Sequence, residues 1–317
     1  MRGHIAVTSE LPGKAVEQLE AEHEVWVHRG EPIIGEDELA AFIGEADAVL
    51  TLLQNPVTEA VLQACPMLRV VANCAVGFDN VDLEAAAKRR LWVTNTPDVL
   101  TEATADLTWA LILAVTRRVG EAERLLRSGR FRGWALDMLL GSSIQDRQLG
   151  IIGCGRIGRA VARRAVGFGM SVACSGGSMS SATPMELDEL LATSHVVSIH
   201  APLNDETRHL INERRLRLMP EGSFLINTAR GPIVDEAALA RVLADGHLGG
   251  AGLDVFESEP AIHPGLTERE DVVLLPHIGS ATVETRSAMA ELAAANILAV
   301  LAGGDPPTPV VRGYVDS

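Results

Sequence analysis

Apolar positions along the chain come in short runs rich in β-branched residues, and these runs alternate with longer stretches of helical periodicity. In the first hundred residues the runs are HIAVTS, EVWVHRG, DAVLTLL, LRVVANCA and LWVTNTP. Between them, PGKAVEQLEAEH, GEDELAAFIGEA, TEAVLQAC and DLEAAAKRR place apolar residues at helical spacing. This alternation predicts βα units on a parallel sheet.

A second alternating series begins at Leu149. Its predicted strands are apolar throughout, which is typical of a parallel sheet covered on both faces: LGIIGCGRIG, MSVACSG, SHVVSIHAPL, GSFLINTARG, GGAGLDVF and VVLLPHIG. The pattern before this series predicts one long helix from Thr101 to Ser128. A further long helix is predicted after Thr282.

The two series together predict an α/β chain of two doubly wound parallel-sheet, Rossmann-like domains with a cleft between them. We expect the last helix to return to the first domain. Residues 1–98 and 289–317 would then form one discontinuous domain, and residues 99–288 the other. The proline-rich tail, DPPTPVVRGYVDS, is expected to pack as an extended arm.

Composition and charge narrow the range of partners. The chain has 317 residues, of which 47% are hydrophobic, and a formal charge of −15, so we expect neither nucleic acid nor a membrane surface as a partner. The N-terminal stretch lacks the apolar core of a signal peptide. The four cysteines are scattered without a CxxC pair, which favours reduced thiols in a cytoplasmic protein and argues against a metal site.

The segment LGIIGCGRIGRAVARR predicts a phosphate-binding loop. Gly153, Gly155 and Gly158 follow the G-x-G-x-x-G pattern between an apolar strand and an amphipathic helix. In such loops the first glycine permits a tight turn, the second admits a pyrophosphate close to the backbone, and the third allows the helix to pack on the sheet. The helix N-terminus adds a favourable field for negative charge.

The next predicted strand leaves the choice of dinucleotide open. An acid about 20 residues after the glycine motif would bind the ribose 2′-hydroxyl and exclude a 2′-phosphate. Ser175, Gly176 and Gly177 are not acidic, and no Arg or Lys occurs between Ser171 and Met185. We therefore expect both NADH and NADPH to support turnover, with catalytic efficiencies that differ by less than about 100-fold.

Three later strands end in polar residues at the same predicted edge of the sheet. Arg230 follows LINTA, Asp254, Glu257 and Glu259 follow AGL, and His277 follows VVLLP. Ligands of open α/β sheets bind outside the carboxyl ends of the strands. The sequence therefore predicts a site at this edge.

The chain resembles D-2-hydroxyacid dehydrogenases nearly from end to end, and among them most closely the glyoxylate/hydroxypyruvate reductases. The motifs that carry the resemblance are VANCAVGFDNVD, TPDVLTEATADL, GIIGCGRIG, HAPLNDETRHLIN, INTARGPIVDEAAL, AGLDVFESEP and LPHIGSAT. The resemblance implies NAD(P)H-dependent reduction of a small 2-keto acid, such as glyoxylate or hydroxypyruvate, to the 2-hydroxy acid. It also implies a homodimer without a catalytic metal, in which residues 1–98 and 289–317 bind the substrate and residues 99–288 bind NAD or NADP.

The resemblance also implies roles for individual residues. The catalytic residues fall on Arg230, Glu259 and His277. Substrate contacts fall on Arg230, Leu52, Ala75, Val76 and Gly77. Cofactor contacts fall on Thr104, Gly153, Gly155, Arg156, Ile157, Gly158, Ser175, Gly176, Ala201, Pro202, Thr207, Thr228, Ala229, Asp254, His277 and Gly279.

These residue types suit the reduction of a keto acid. A histidine whose pKa lies near the working pH can donate the proton that the carbonyl oxygen takes up. A neighbouring carboxylate favours the charged imidazole. The planar fork of an arginine binds a carboxylate in two places. The stretch after Ser175 is shorter than is usual in the family, which affects the expected adenosine pocket.

Three alternative functions use similar motifs. A phosphite dehydrogenase-like enzyme would share RSGRFRGW, at residues 127–134, but would carry a lysine where this chain has Val76. Formate dehydrogenases pair the histidine with a glutamine, whereas the partner here is Glu259. An NAD-sensing corepressor-like binding protein would retain the same catalytic residues, and turnover of glyoxylate would distinguish it from an enzyme.

Overall fold

The chain forms two compact units in the computed structural model, which describes residues 2–31 and 33–313. Unit 1 comprises Met1–Leu100 and Ser280–Ser317, as far as these residues are described, and unit 2 comprises Thr101–Gly279. The C-terminal helix α12 (Val283–Leu301) thus lies wholly in unit 1, whereas the boundary expected at residue 289 falls inside that helix.

Unit 1 contains a six-stranded sheet in the order β13-β5-β4-β3-β1-β2. Its strands are β1 (His4–Val7), β2 (Glu24–Val27), β3 (Ala48–Thr51), β4 (Val70–Asn73), β5 (Trp92–Thr94) and β13 (Pro309–Val311). The first five pair in parallel, and β13, within the expected C-terminal arm, pairs antiparallel with β5. Residues 314–317 of that arm lie outside the described residues.

The helices of unit 1 cover both faces of its sheet. They are α1 (Ala15–Glu20), α2 (Glu36–Ile43), α3 (Glu59–Ala64), α4 (Leu83–Lys88) and α12. One core joins Leu39 and Ile43 to Val49 and Val71. The other joins Leu19 and Ile297 to Ile5 and Leu50. Alternate residues of the strands point to opposite faces, and both sets are buried.

Unit 2 contains a seven-stranded, wholly parallel sheet in the order β12-β11-β10-β9-β6-β7-β8. Its strands are β6 (Gln148–Ile152), β7 (Ser171–Ser175), β8 (Thr183–Pro184), β9 (Val196–Ile199), β10 (Phe224–Asn227), β11 (Gly250–Leu253) and β12 (Val272–Leu274). Its helices are α5 (Thr101–Thr116), α6 (Val119–Arg127), α7 (Arg156–Ala165), α8 (Leu187–Thr193), α9 (Glu213–Leu216), α10 (Glu236–Ala244) and α11 (Pro264–Thr267). The two helix-covered sheets, which are parallel apart from β13, confirm the predicted α/β fold class.

The prediction of one helix from Thr101 to Ser128 is wrong. The helix breaks between α5 and α6, where Arg118 adopts a left-handed conformation with φ of 52°. The carbonyl of Thr116 accepts a hydrogen bond from the amide of Ser142, at 2.8 Å, instead of one from the next helical turn. The segment that supplies this amide comes from beyond α6 in the chain, so the local pattern does not reveal the break.

None of the helices in the described part of the chain is long and apolar enough to cross a membrane.

Candidate functional site

The carboxyl ends of the parallel strands in unit 2 carry most of the predicted site residues. Strand β6 lies where the order of the sheet reverses, with β7 on one side and β9 on the other. Ligands of open α/β sheets bind at such a switch point. The predicted cofactor contacts lie in the loops after β6, β7, β9, β10, β11 and β12, except that Ser175 is the last residue of β7, Arg156, Ile157 and Gly158 lie in the first turn of α7, and Thr104 lies in α5.

The glycine loop after β6 has the geometry that its sequence predicts. Gly153 has φ of +96°, and a Cβ there would lie 2.6 Å from the backbone of His200 and Ala201. At Gly158 a Cβ would lie 2.2 Å from the carbonyl oxygen of Gly153. Gly155 precedes α7 in an extended conformation, and a Cβ there would meet no described atom within 4 Å. The first and third glycines are therefore needed for packing, whereas the second leaves space above the backbone.

A dinucleotide fits this arrangement. The open backbone at Gly155 leads directly into Arg156 and Ile157, the first residues of the ten-residue helix α7. The helix N-terminus offers a positive field to a pyrophosphate. Next to it, the carbonyls of Ser175 and Gly176 accept hydrogen bonds from the amides of Gly153 and Cys154, at 2.8 and 3.2 Å. These bonds hold the ends of β6 and β7 together.

The loops after β9 and β10 place the remaining predicted contacts. Thr207 closes the turn that contains Ala201 and Pro202, because its hydroxyl donates to the carbonyl of Pro202 at 2.7 Å. After β10, the hydroxyls of Thr228 and Thr108 lie 3.0 Å apart. The Thr108 hydroxyl also donates to the carbonyl of Thr104, at 2.8 Å, so α5 is tied to the end of β10.

The turn after β12 is organised by the carboxylate of Asp254. This residue is only 1% exposed, and its two oxygens accept hydrogen bonds from the amides of Ile278 and Gly279, at 2.8 and 2.7 Å. Burial raises the pKa of Asp254 above its ordinary value, although these two amides favour the ionised form. The amide of His277 donates to the carbonyl of Asp254 at 2.9 Å. Asp254 therefore positions His277, and its predicted cofactor contact stays a prediction.

His277 and Glu259 form a hydrogen-bonded pair at the strand ends. Nδ1 of His277 lies 2.9 Å from Oε2 of Glu259. The other carboxylate oxygen accepts a hydrogen bond from the amide of Phe256, at 2.9 Å. Burial alone would raise the pKa of Glu259, but the bond and charge of His277, the Phe256 amide and the charge of Arg230 hold it below its ordinary value. Glu259 is therefore a carboxylate at neutral pH, and it binds Nδ1 rather than Nε2 of His277.

Arg230 follows β10 in a loop that packs directly against the segment leading to Glu259. The side chain of Asn227 folds this loop, because it accepts from the amide of Ala229 at 3.0 Å and donates to the carbonyl of Arg230 at 2.9 Å. A Cβ at Gly231 would lie 1.8 Å from the carbonyl carbon of Phe256. Glycine at position 231 thus permits the close approach that brings Arg230 near Glu259.

A buried carboxylate on α10 holds both ends of the loop that carries Glu259. Glu236 is 5% exposed. Its Oε1 accepts from the amide of Glu257, and its Oε2 accepts from the amide of His263 at 3.2 Å. Because these amides lie on either side of Glu259, Glu236 restricts the movement of the loop. We assign it a positioning role.

The predicted carboxylate-binding loop of unit 1 follows β4. The carbonyls of Val76 and Gly77 accept hydrogen bonds from the side chains of Asn95 and Asn73, each at 2.8 Å. Within the part of the chain that the structure describes, the amides of Val76 and Gly77 donate to no protein acceptor. The loop therefore turns its carbonyls toward the protein and leaves two adjacent amides for an anion.

Ala75 and Leu52 are fixed beside this loop. The carbonyl of Ala75 accepts from the amide of Thr96, at 2.8 Å. The backbone of Leu52 is bonded to two side chains, because its amide donates to Asn55 at 2.9 Å and its carbonyl accepts from Asn80 at 3.2 Å.

Sequence reasoning missed the residues that support the site. Asn227, Gly231 and Glu236 stand in the motif INTARGPIVDEAAL, from which the sequence predicted roles only for Thr228, Ala229 and Arg230. The asparagine and the glycine beside an arginine at a strand end were the available signal. Nothing local to Glu236 indicated that its carboxylate would bind a loop more than 20 residues away. Within residues 2–31 and 33–313, no group of three or more His, Cys, Asp or Glu is arranged to hold a metal ion.

Comparisons with known proteins agree with this geometry. Residues 109–279 match the family described as D-isomer specific 2-hydroxyacid dehydrogenase, NAD binding domain. A glyoxylate reductase from Thermococcus onnurineus is 44% identical over 98% of this chain and 97% of its own length.

Solved structures show the same likeness. The crystal structure of a protein from Thermus thermophilus matches with a TM-score of 0.93 at 46% identity, over 97% of this chain and 100% of that one. An NADPH-dependent glyoxylate/hydroxypyruvate reductase from Sinorhizobium meliloti, in complex with NADP and malonate, matches with a TM-score of 0.87 at 33% identity over the full length of both chains. The chain is therefore an NAD(P)-dependent oxidoreductase that belongs to the D-isomer specific 2-hydroxyacid dehydrogenase family.

Proposed function

We propose that the protein reduces a small 2-keto acid, with glyoxylate and hydroxypyruvate as its preferred substrates, to the corresponding 2-hydroxy acid. The observation that carries the proposal is the pair formed by His277 and Glu259 beside Arg230. The names of the relatives support the choice of substrate, since they include glyoxylate reductases and a glyoxylate/hydroxypyruvate reductase.

His277 is the proposed proton donor. NAD(P)H, when bound, supplies the hydride that the carbonyl carbon of the substrate accepts. The carbonyl oxygen then takes its proton from Nε2 of His277, so that the carbonyl becomes a hydroxyl and the oxidised cofactor and the imidazole are left. Positioned acids of this kind typically contribute about 10²–10⁴-fold to the rate.

Glu259 supports the donor in two ways. Its bond to Nδ1 fixes the tautomer and orientation of the ring. Its negative charge makes this a charge-assisted hydrogen bond, which is stronger than a bond between neutral groups. The low pKa of Glu259 is consistent with this role.

Arg230 is the proposed ligand of the substrate carboxylate and carbonyl oxygen. A guanidinium can bind a planar carboxylate through two parallel hydrogen bonds. Its positive charge also draws electrons from the carbonyl that accepts the hydride. For unit 1 we propose that the two adjacent amides at Val76 and Gly77 bind a carboxylate, with Ala75 and Leu52 shaping their loop.

The cofactor is proposed to lie along the carboxyl ends of the strands of unit 2. The glycine loop would hold the pyrophosphate, and Ser175 and Gly176 would border the adenosine ribose. The ends of β9 and β10, with Asp254, Gly279 and Thr104, would border the nicotinamide half. These contacts follow the roles that the sequence predicts for the same residues. Substitution of Gly155 by alanine tests the pyrophosphate site.

We further propose a cytoplasmic homodimer. All four cysteines are free thiols, which suits a reducing compartment. Residues 129–141 form the apolar loop, which exposes several large apolar side chains: Phe131, Trp134, Leu136 and Leu140. Helix α6, which precedes this segment, has no buried residue. An exposed apolar surface of this kind is typical of a protein interface, and a second copy of the chain is the proposed partner.

The test is a panel of substrates assayed with the purified chain and with NADH and NADPH side by side. We expect glyoxylate and hydroxypyruvate to be reduced most efficiently, while phosphite and formate give no reduction of NAD⁺ or NADP⁺. Turnover of phosphite in preference to every keto acid would contradict the proposal. Tight cofactor binding without any turnover would instead support a corepressor-like binding protein.

A further inference from the structure

Arg159 lies on α7 and reaches across to the loop that follows β7. Its Nε donates to the carbonyl of Cys154 at 2.9 Å, and its Nη2 donates to the carbonyl of Ser178 at 3.1 Å. These two bonds hold the guanidinium in a fixed orientation beside residues 175–178. Further N–H donors of the same group remain for a ligand.

The positive charge of Arg159 has no carboxylate partner among the described residues. Its bonds go to neutral carbonyls, and no ion pair joins it to an acid within 4.0 Å. Its neighbours on α7 behave differently, since Arg163 and Arg164 both pair with Glu102 on α5, at 2.6 and 2.9 Å. Arg159 therefore contributes an uncompensated positive charge at this loop.

The loop itself carries nothing that opposes an anion. Residues 171–185 contain no Asp, Glu, Lys or Arg. Gly176 and Gly177 have φ of +77° and +123°, so the backbone turns sharply without side chains directly after Ser175. In dinucleotide-binding sheets the end of this strand borders the adenosine ribose, and an arginine nearby accommodates a 2′-phosphate.

We propose that Arg159 recognises the 2′-phosphate of NADP and gives the enzyme a preference for NADPH over NADH. The inference rests on the proposed function only in requiring that a nicotinamide dinucleotide binds at the glycine loop. It revises the expectation of little discrimination, because that expectation considered only residues 171–185. We now expect NADPH to bind at least about 10-fold more tightly than NADH, which corresponds to ~1.4 kcal/mol.

The experiment measures dissociation constants by calorimetric titration of the full chain with NADPH, NADH, 2′,5′-ADP and 5′-AMP. Arg159→Gln removes the charge and keeps a side chain that can bind one carbonyl. Arg159→Lys keeps the charge without the fork. Arg163→Gln is the matched control, because it removes the same charge from the same helix at a residue paired with Glu102.

For Arg159→Gln we expect about a 10-fold or greater loss of affinity for NADPH and 2′,5′-ADP, with NADH and 5′-AMP changed less than about 3-fold. Arg159→Lys should retain part of the preference, and Arg163→Gln all of it. Equal losses for both cofactors would assign Arg159 a merely structural role, and an unchanged ratio would also overturn the proposal. These titrations need no substrate, so a failure to reduce glyoxylate would leave their result standing.

Discussion

His277 and Arg230 are each oriented by several contacts that have no direct part in the chemistry. The backbone of His277 has φ of 53°, a left-handed conformation that is uncommon outside glycine. Asp254 stabilises this conformation through the amides on the C-terminal side of the histidine. Such strain at a functional side chain persists only where the surroundings enforce it.

Arg230→Lys tests the bidentate role of the guanidinium. The charge is retained, but a lysine ammonium cannot bind a carboxylate and a carbonyl oxygen through a planar fork. We expect kcat/KM for glyoxylate to fall about 10²-fold or more, since several charge-assisted hydrogen bonds are lost or weakened. Steady-state kinetics would check this, with melting temperatures of the variant and of wild type compared to show that the variant is folded. Wild-type efficiency in the variant would remove Arg230 from the site.

Glu259→Gln tests the electrostatic role of the carboxylate through its pH dependence. The pKa of Glu259 lies below its ordinary value of 4.5, so the stability that its ionised form contributes is fully present above that pH. It is lost as the pH falls through the lowered value. We therefore expect wild type to be more stable than Glu259→Gln at neutral pH, and the difference in unfolding free energy to shrink below about pH 4.

The same variant should change the kinetics. Without the carboxylate, the ring of His277 loses a charge-assisted hydrogen bond at Nδ1 that fixes its orientation, so kcat for glyoxylate should fall while the dissociation constant of NADPH stays unchanged. A kcat equal to that of wild type would show that Glu259 does not act through His277.

At the scale of elements, different glycines of the glycine loop serve packing and ligand access. A Cβ at Gly158 would lie 2.2 Å from the carbonyl oxygen of Gly153, whereas a Cβ at Gly155 would meet no described atom within 4 Å. Gly158→Ala should therefore lower the melting temperature or prevent folding. Gly155→Ala should leave the melting temperature within about 2 °C of wild type and weaken NADPH binding at least about 10-fold. A Gly155→Ala enzyme with unchanged NADPH affinity would contradict the proposed pyrophosphate site.

The elements that could be predicted from the sequence are those whose signal is local. Except for the short β8 and the antiparallel β13, the strands of both sheets follow from apolar runs, and the glycine loop follows from a strand, three glycines and a helix in succession. The break after α5 could not be predicted, because it depends on the Ser142 amide reaching Thr116. The contact of Arg159 with the loop after β7 could not be predicted either, because the arginine and Ser178 are 19 positions apart in the sequence.

At the scale of the whole molecule, the apolar loop (residues 129–141) is the surface that a partner would cover. Trp134, Leu136 and Leu140 are 78%, 81% and 66% exposed. Burial of such side chains between two copies is favourable at about 25 cal/mol per Å² of apolar surface. We expect the wild-type chain to sediment as a dimer at micromolar concentration, and a Trp134→Ser, Leu136→Ser variant to shift toward monomer without unfolding. A wild-type monomer under these conditions would contradict the proposed dimer.

The most direct test of the central claim is the turnover of glyoxylate by the full-length His277→Ala enzyme, measured together with its affinity for NADPH. We predict that kcat falls about 10²-fold or more, because the proposed proton donor is lost, while the dissociation constant of NADPH stays within about 3-fold of wild type. Reduction of glyoxylate by His277→Ala at close to the wild-type rate would contradict the account, because the proton would then have to come from another group.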